Sequence, residues 1–380
     1  MLSRPDIQRV RIITGAALVA GIACSHGLWL SPERMYPQIP ILPGIPALPL
    51  AVSALILLAL FAALVVTVIP RAPRWTAAVP VGLLAVLIAF DQSRLQPWVV
   101  TYCVVFLLTA FARDAQTDAS ALMTLRFVIA IEYVWSGLQK ANVNFIDGVW
   151  PAFSDALTRA LHLAPAVSHV AGASVPVVEI AIGCALFIPG VRRIAVIAAC
   201  GMHATILASL IGSGENAAVW PWNIAMPLFD IVLFWNATSV AWRPSLLRRF
   251  PAGIAAIVLV GFLPVLSFWG YWDAYASAAL YSGNTAQAVI VIDPAALDTL
   301  PPTLRRNTWQ ASRPMFIDIN RWSYDELQVP VYPERRVFLA VGHYLCHTRR
   351  AAVSLLILGR PDWLSGNRDR TRLLCSDPSW

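Results

Sequence analysis

The stretch from Leu48 to Ile69 reads LPLAVSALILLALFAALVVTVI and contains no charged residue. About 20 consecutive apolar residues are needed to cross the hydrocarbon of a bilayer as a helix, and this run meets that length without interruption. Working outward from it, comparable runs occur at roughly 11–30, 77–91, 97–112, 121–140, 167–189, 193–212, 220–237 and 251–269. The spacing therefore predicts about nine transmembrane helices. The third and fourth are short, and the polar stretch from Phe90 to Trp98 between them reads as a tight turn or a partly re-entrant segment.

The whole-chain composition agrees. In 380 residues, 58% are hydrophobic and only 13% charged, which falls outside the range of water-soluble domains. The mean hydropathy is +0.64, and the 15 tryptophans fit aromatic belts at two membrane interfaces. A net charge of +7 is thus read as a topology signal, and no nucleic-acid partner is expected. With the N-terminus inside, the inner segments collect Arg4, Arg9, Arg11, Arg71, Arg74, Arg113, Arg192, Arg193, Arg243, Arg248 and Arg249. The short outer loops hold only Arg34, Arg94, Lys140 and Arg159. This bias predicts a cytoplasmic N-terminus; the location expected is a plasma membrane, the bacterial inner membrane.

An odd number of spans divides the chain into a transmembrane domain, residues 1–269, and a small extracytoplasmic domain, residues 270–380. The fold class expected is an all-α polytopic membrane bundle followed by a C-terminal α+β unit. In that unit 286–292 and 314–319 read as strands, and 323–327 and 334–338 as helix starts. Prolines at 37, 40, 43, 46 and 49 make the first outer loop extended. Four cysteines, Cys24, Cys103, Cys184 and Cys200, fall inside spans as small packing residues, whereas Cys346 and Cys375 lie in the tail. On the outer face that pair forms either a disulfide or two free thiols.

Chemistry is sought where ionisable groups sit at membrane depth, because each costs several kcal/mol there without a partner or a purpose. Spacings of four put Glu132, Ser136 and Lys140 on one face of the fifth helix. A sheltered lysine favours its neutral amine and suits a base or nucleophile; the plainer alternative is a side chain that snorkels outward or pairs with Glu132. His203 is either a proton shuttle or an interhelical hydrogen-bonder. Glu179 needs a cation such as Lys140, or pairs structurally with another span. Two clusters, Gln92 with Trp98 and Trp222 with Asn223, either line a cavity for a flat, partly polar ligand or anchor the interfaces. There is no phosphate-cradling glycine loop, no metal-spaced His/Cys cluster, no nucleophile elbow and no CxxC.

The run from Gly137 to Gly148, with Glu179, His203 and the Asp91-Gln92…Gln96-Pro97-Trp98 turn, resembles the membrane domain shared by vitamin K-dependent γ-glutamyl carboxylases and their bacterial relatives, the HTTM proteins. The resemblance spans roughly residues 10–240. It implies a lysine, Lys140, that deprotonates a reduced quinone (a vitamin K hydroquinone or menaquinol-like cofactor), followed by O2 addition and CO2 fixation on a peptide or protein substrate at the outer face. By the same resemblance His203 and Glu179 support the reaction. Where those carboxylases carry two lysines, this chain has Gln139-Lys140. The alternative reading is a non-catalytic quinone- or lipid-binding scaffold or assembly protein, and a transporter is a third. All three keep the chain among membrane lipids.

Overall fold

Helix α3 (Leu50–Val68) illustrates how the bundle is built: Ser53, Leu57, Leu60, Leu64 and Thr67 form a buried stripe at helical spacing. Leu55, Leu58 and Val65 on its other side are more than 60% exposed. Such a face is stable only against lipid. In the computed structural model, residues 4–32, 34–42, 44–237, 244–292, 297, 300, 302–310, 315–348 and 353–375 are described. Pro43, Arg243 and Pro314, used in the loop, topology and strand readings above, lie outside them.

The membrane part contains α1 (Arg4–Cys24), the short α2 (His26–Trp29), α3, α4 (Ala78–Phe90), α5 (Pro97–Phe111), α6 (Ala115–Lys140), α7 (Trp150–Ala160), α8 (Pro165–Ala185), α9 (Arg192–Ser213), α10 (Trp220–Asp230), α11 (Pro244–Leu247) and α12 (Pro251–Ala256). A π-helical turn, Ile231–Trp235, continues α10. A π turn and a 3-10 turn carry α12 on to Trp269. Seven of these helical stretches are long and apolar enough to cross a bilayer, and Arg74–Phe90 and Pro97–Phe111 are shorter apolar helices. The chain is an integral membrane protein. The first span starts at Arg4, earlier than the expected 11–30, and Arg11 inside it has its guanidinium satisfied by the carbonyls of Thr109 (2.7 Å) and Arg74 (3.1 Å).

Polar caps set the helix ends. Asp114 accepts from the Thr117 amide (2.8 Å) while the Thr117 hydroxyl accepts from the Asp114 amide (2.9 Å), a reciprocal capping box that starts α6. The Arg74 guanidinium bridges Asp118 and the Ala112 carbonyl at the same end, and Arg192 donates to the carbonyls of Leu186 (3.0 Å) and Ala237 (2.7 Å). Cations placed on terminal carbonyls complement the helix dipoles.

At the opposite end sits the tail. Its five antiparallel strands run β2 (Thr308–Gln310), β3 (Met315–Asp318), β1 (Gln287–Ile292), β4 (Val353–Pro361), β5 (Arg368–Leu374) across the sheet. Three helices accompany it: α13 (Pro302–Arg306), α14 (Ile319–Leu327) and α15 (Arg335–His343). Ile290, Leu355, Phe338 and Trp322 form its core. The tail rests on the loops between spans: the Glu326 carboxylate accepts from the amides of Met35 (2.7 Å) and Tyr36 (2.6 Å), and Gln328 accepts from the Gly27 amide (2.9 Å). The Cys346–Cys375 disulfide is formed, with Cα atoms 5.6 Å apart.

The contact that positions the site is the crossing of α6 and α8. A Cβ added at Gly137 would lie 2.5 Å from the Pro176 carbonyl oxygen, and one at Gly183 would lie 2.5 Å from that of Ala130. Small residues let two membrane helices meet backbone to backbone. Gly137→Ala is therefore expected to destabilise the bundle by about 1–3 kcal/mol through overpacking. Gly148→Ala, whose Cβ meets nothing within 4 Å, is the control. Denaturant titration in detergent reads the difference; equal stability of the two variants would contradict the close-approach account.

Candidate functional site

The close crossing of α6 and α8 brings Lys140 onto Glu179. The ammonium donates to both carboxylate oxygens, at 2.8 and 2.9 Å, and to the Ser136 hydroxyl one turn below it. The Glu179 side chain is 3% exposed and that of Lys140 12%. All three ammonium protons are thus used. The pairing expected with Glu132 does not occur; the Glu132 carboxylate instead accepts from the Thr101 hydroxyl (2.6 Å), and its second oxygen is buried without a protein partner.

About two turns below Lys140, ~10 Å along the helix at 1.5 Å per residue, Tyr133 opens a second polar chain. Its hydroxyl lies 2.6 Å from an Asp230 carboxyl oxygen and 3.0 Å from His203 Nε2. His203 Nδ1 is 2.9 Å from Asn223 Oδ1, and the Asn223 amide donates to the Val219 carbonyl (2.9 Å). These residues come from α6, α9 and α10. The Pro221 ring suits the first turn of α10, and Asp230 sits where α10 gives way to its π turn.

Both polar clusters face one cavity of about 420 Å3. Its walls include Glu132, Tyr133, Ser136 and Lys140 of α6, Trp150 and Phe153 of α7, Glu179 of α8, His203 of α9, and Trp222 and Asn223 of α10. Ala278, Leu280 and Tyr281 of the tail close one side. The Gln139-Lys140-Ala141-Asn142 segment holds this lid in place: Asn284 donates to Gln139 Oε1 (2.8 Å), and Asn142 donates to the Ser282 carbonyl (2.8 Å). Asn216 donates to the Tyr281 hydroxyl (2.6 Å). Burial pushes the Tyr281 phenol up to about 12, so it stays a neutral hydroxyl.

Seven of the residues singled out in the sequence, Lys140, Glu179, His203, Glu132, Ser136, Trp222 and Asn223, therefore meet on one surface. Gln92 and Trp98 do not. The turn that carries Gln92 is organised by Asp91, which pairs with Arg34 at 2.6 Å, and Trp98 packs between Trp29 and Tyr102. Asp230, Tyr133 and the amphipathic α7 belong to the site without having been assigned to it. Asp230 carries the same signal that exposed Glu179, an acidic residue inside an apolar run.

What these features define is a polytopic membrane protein with a mainly apolar, polar-ended cavity inside its bundle. Residues 118–218, which run from the start of α6 past the end of α9, match the family model described as methylamine utilisation protein MauE. No curated protein and no solved structure matches the chain. The match corrects the resemblance drawn above to γ-glutamyl carboxylases and HTTM proteins, because the run 137–148, Glu179 and His203 that mainly carried it lie within the matched residues. The motif itself has local causes here: Gly137 is required by the helix crossing, and Gln139 by its bonds to Asn284 and Ser267. Residues fixed by packing alone do not identify a reaction.

Proposed function

We propose that the cavity is a binding site within the bilayer for a lipophilic molecule with a polar ring, a quinol or quinone, and that the protein exchanges protons with it. The observation carrying this reading is that two side chains of the cavity wall, Trp222 and Glu132, carry a buried donor, Nε1, and a buried acceptor, Oε2, neither with a protein partner. Unpaired polar atoms cost roughly 1–3 kcal/mol each, so a ligand offering one hydroxyl proton and one oxygen offsets a real penalty. The volume falls within the roughly 300–1,000 Å3 of small-molecule sites, and aromatic walls suit a flat ring.

Such a group would supply redox chemistry when bound. This chain's part is to orient it and to hold protons near it. With its three N–H bonds occupied, Lys140 acts together with Glu179, the pair accepting or releasing a proton as a unit. Ser136 accepts from Lys140 and keeps its own proton for a ligand oxygen. The same saturation of Lys140 also favours a second reading, a non-catalytic quinone- or lipid-binding scaffold in which the pair is a clamp; consumption of an added naphthoquinol separates the two.

For binding, nanodisc-embedded protein titrated with a menaquinone analogue is expected to saturate, and Trp222→Phe and Glu132→Gln are each expected to weaken binding about tenfold. Absence of saturable binding, or unchanged affinity in both variants, would remove the proposal.

The bundle is proposed to cross nine times, counting the two shorter apolar helices, with the N-terminus cytoplasmic and the tail outside. Arginine-rich ends on one side, a tail seated on the opposite loops and a disulfide in that tail support this orientation. External protease on spheroplasts should digest the tail and spare an N-terminal tag; the reverse pattern would invert the topology.

A further inference from the structure

We infer that Asp230, Tyr133 and His203 form a proton relay beside the cavity, holding one proton more than the same three side chains carry when separate at neutral pH. The argument is a count. Three contacts need one proton each: Asp230 Oδ2 to Tyr133 Oη (2.6 Å), Tyr133 Oη to His203 Nε2 (3.0 Å) and His203 Nδ1 to Asn223 Oδ1 (2.9 Å). The Asn223 amide nitrogen is directed to the Val219 carbonyl, so its oxygen faces the imidazole and only accepts. Nδ1 therefore carries a proton.

Two protons remain to be placed on the other two contacts. A carboxylate, a phenol and a neutral imidazole own only one between them beyond the proton already on Nδ1. That would leave two lone pairs facing each other at hydrogen-bond distance in the apolar centre of the bundle. The arrangement closes when Asp230 is a carboxylic acid donating to Tyr133, whose hydroxyl donates to Nε2. The cluster is then neutral, which suits its depth, since Asp230 and Tyr133 are 0% and 3% exposed. The unpartnered second oxygen of Asp230 agrees, because a carbonyl oxygen tolerates that position better than half of a carboxylate.

A second arrangement has the same heavy-atom positions. The Asp230 O–H bond breaks as a Tyr133 O–H forms, and the former Tyr133 O–H breaks as an Nε2–H forms. The result is a carboxylate and an imidazolium, with no net change in protons or electrons. Both transfers lie within the reach that proton exchange requires. Tyr133, His203 and Asn223 line the cavity, so the relay delivers protons to its wall. Glu132, Lys140, Glu179 and Tyr281 are the other ionisable groups on that wall, and each has its own partner. That the relay serves a ligand rests on the cavity reading proposed above; the extra proton does not.

The test needs no ligand, and its first two measurements need no variant. Infrared spectra of the wild-type protein at neutral pH, with isotope-labelled aspartate, are expected to show one protonated carboxyl band that shifts with the label, distinguishing Asp230 from glutamates. Labelled-histidine NMR is expected to give one ring protonated at Nδ1 with an accepting Nε2. In Tyr133→Phe, which keeps the ring and removes the bridge, that Nε2 signal should move to the position of a free nitrogen. Aspartates ionised throughout beside a neutral His203, or a His203 signal unmoved in Tyr133→Phe, would overturn the relay, whatever the outcome of quinone titration.

Discussion

Glu179→Leu is expected to destabilise the membrane bundle by about 3–5 kcal/mol, and Lys140→Met to do the same, whereas the double variant returns close to wild type. The reason is an asymmetry in buried ion pairs: removing one partner strands a charge in low dielectric, but removing both leaves apolar groups of similar volume. Here the stranding is severe, because Lys140 gives all three ammonium protons to Glu179 and Ser136 and both side chains are almost wholly buried. Unfolding in mild detergent monitored by helical circular dichroism reads the three variants. A single substitution that costs less than about 1 kcal/mol would mean that the surroundings solvate the remaining charge. The double variant is the more informative for function, since it keeps the bundle and the cavity and deletes one of the two proton-holding clusters. Ligand exchange of protons should fall in it while aromatic contacts are retained.

The charge pattern made the membrane architecture legible because lipid imposes a uniform constraint: every span must be apolar, and every ionisable group within one needs a reason. Lys140, Glu179 and His203 were visible on that rule alone. Asp230 obeys the same rule, being an acidic residue inside the predicted 220–237 span, yet it was not singled out. What sequence spacing does not contain is which spans touch. Lys140 meets Glu179 and not Glu132 because Gly137 and Gly183 permit α6 and α8 to cross in contact, a fact of three dimensions. Helix α7 escaped for a related reason: Asp155 and Arg159 make it look like an ordinary loop, while its Trp150 and Phe153 face inward. In the tail, β5 alternates arginines with little apolar content, as an exposed edge strand does, so only its pairing with β4 reveals it.

That edge strand leads to the second large effect. Removing the disulfide, as Cys346→Ala with Cys375→Ala, is expected to lower the stability of the tail by about 3–4 kcal/mol, from the entropy of a loop closed over 29 residues. Few contacts of β5 replace that restraint: residues 369–372 are exposed, and Leu373 is the side chain it buries. The bond ties the strand to the end of α15, and with it the Arg368 guanidinium that donates to the carbonyls of Gly283 (2.9 Å) and Thr285 (2.7 Å). Gly283 adopts a left-handed φ of +70° and packs against the backbone of Asn144 and Phe145, so the turn it forms joins the cavity lid to the sheet of the tail. Loss of the disulfide should therefore be felt twice, first as faster proteolysis of the tail and then as weaker retention of any molecule held under Leu280 and Tyr281. Limited proteolysis and dissociation rates measured on the same double variant test the coupling. A tail that loosens while ligand release is unchanged would show that Asn216, Asn142 and Gln139 hold the lid without help from the sheet.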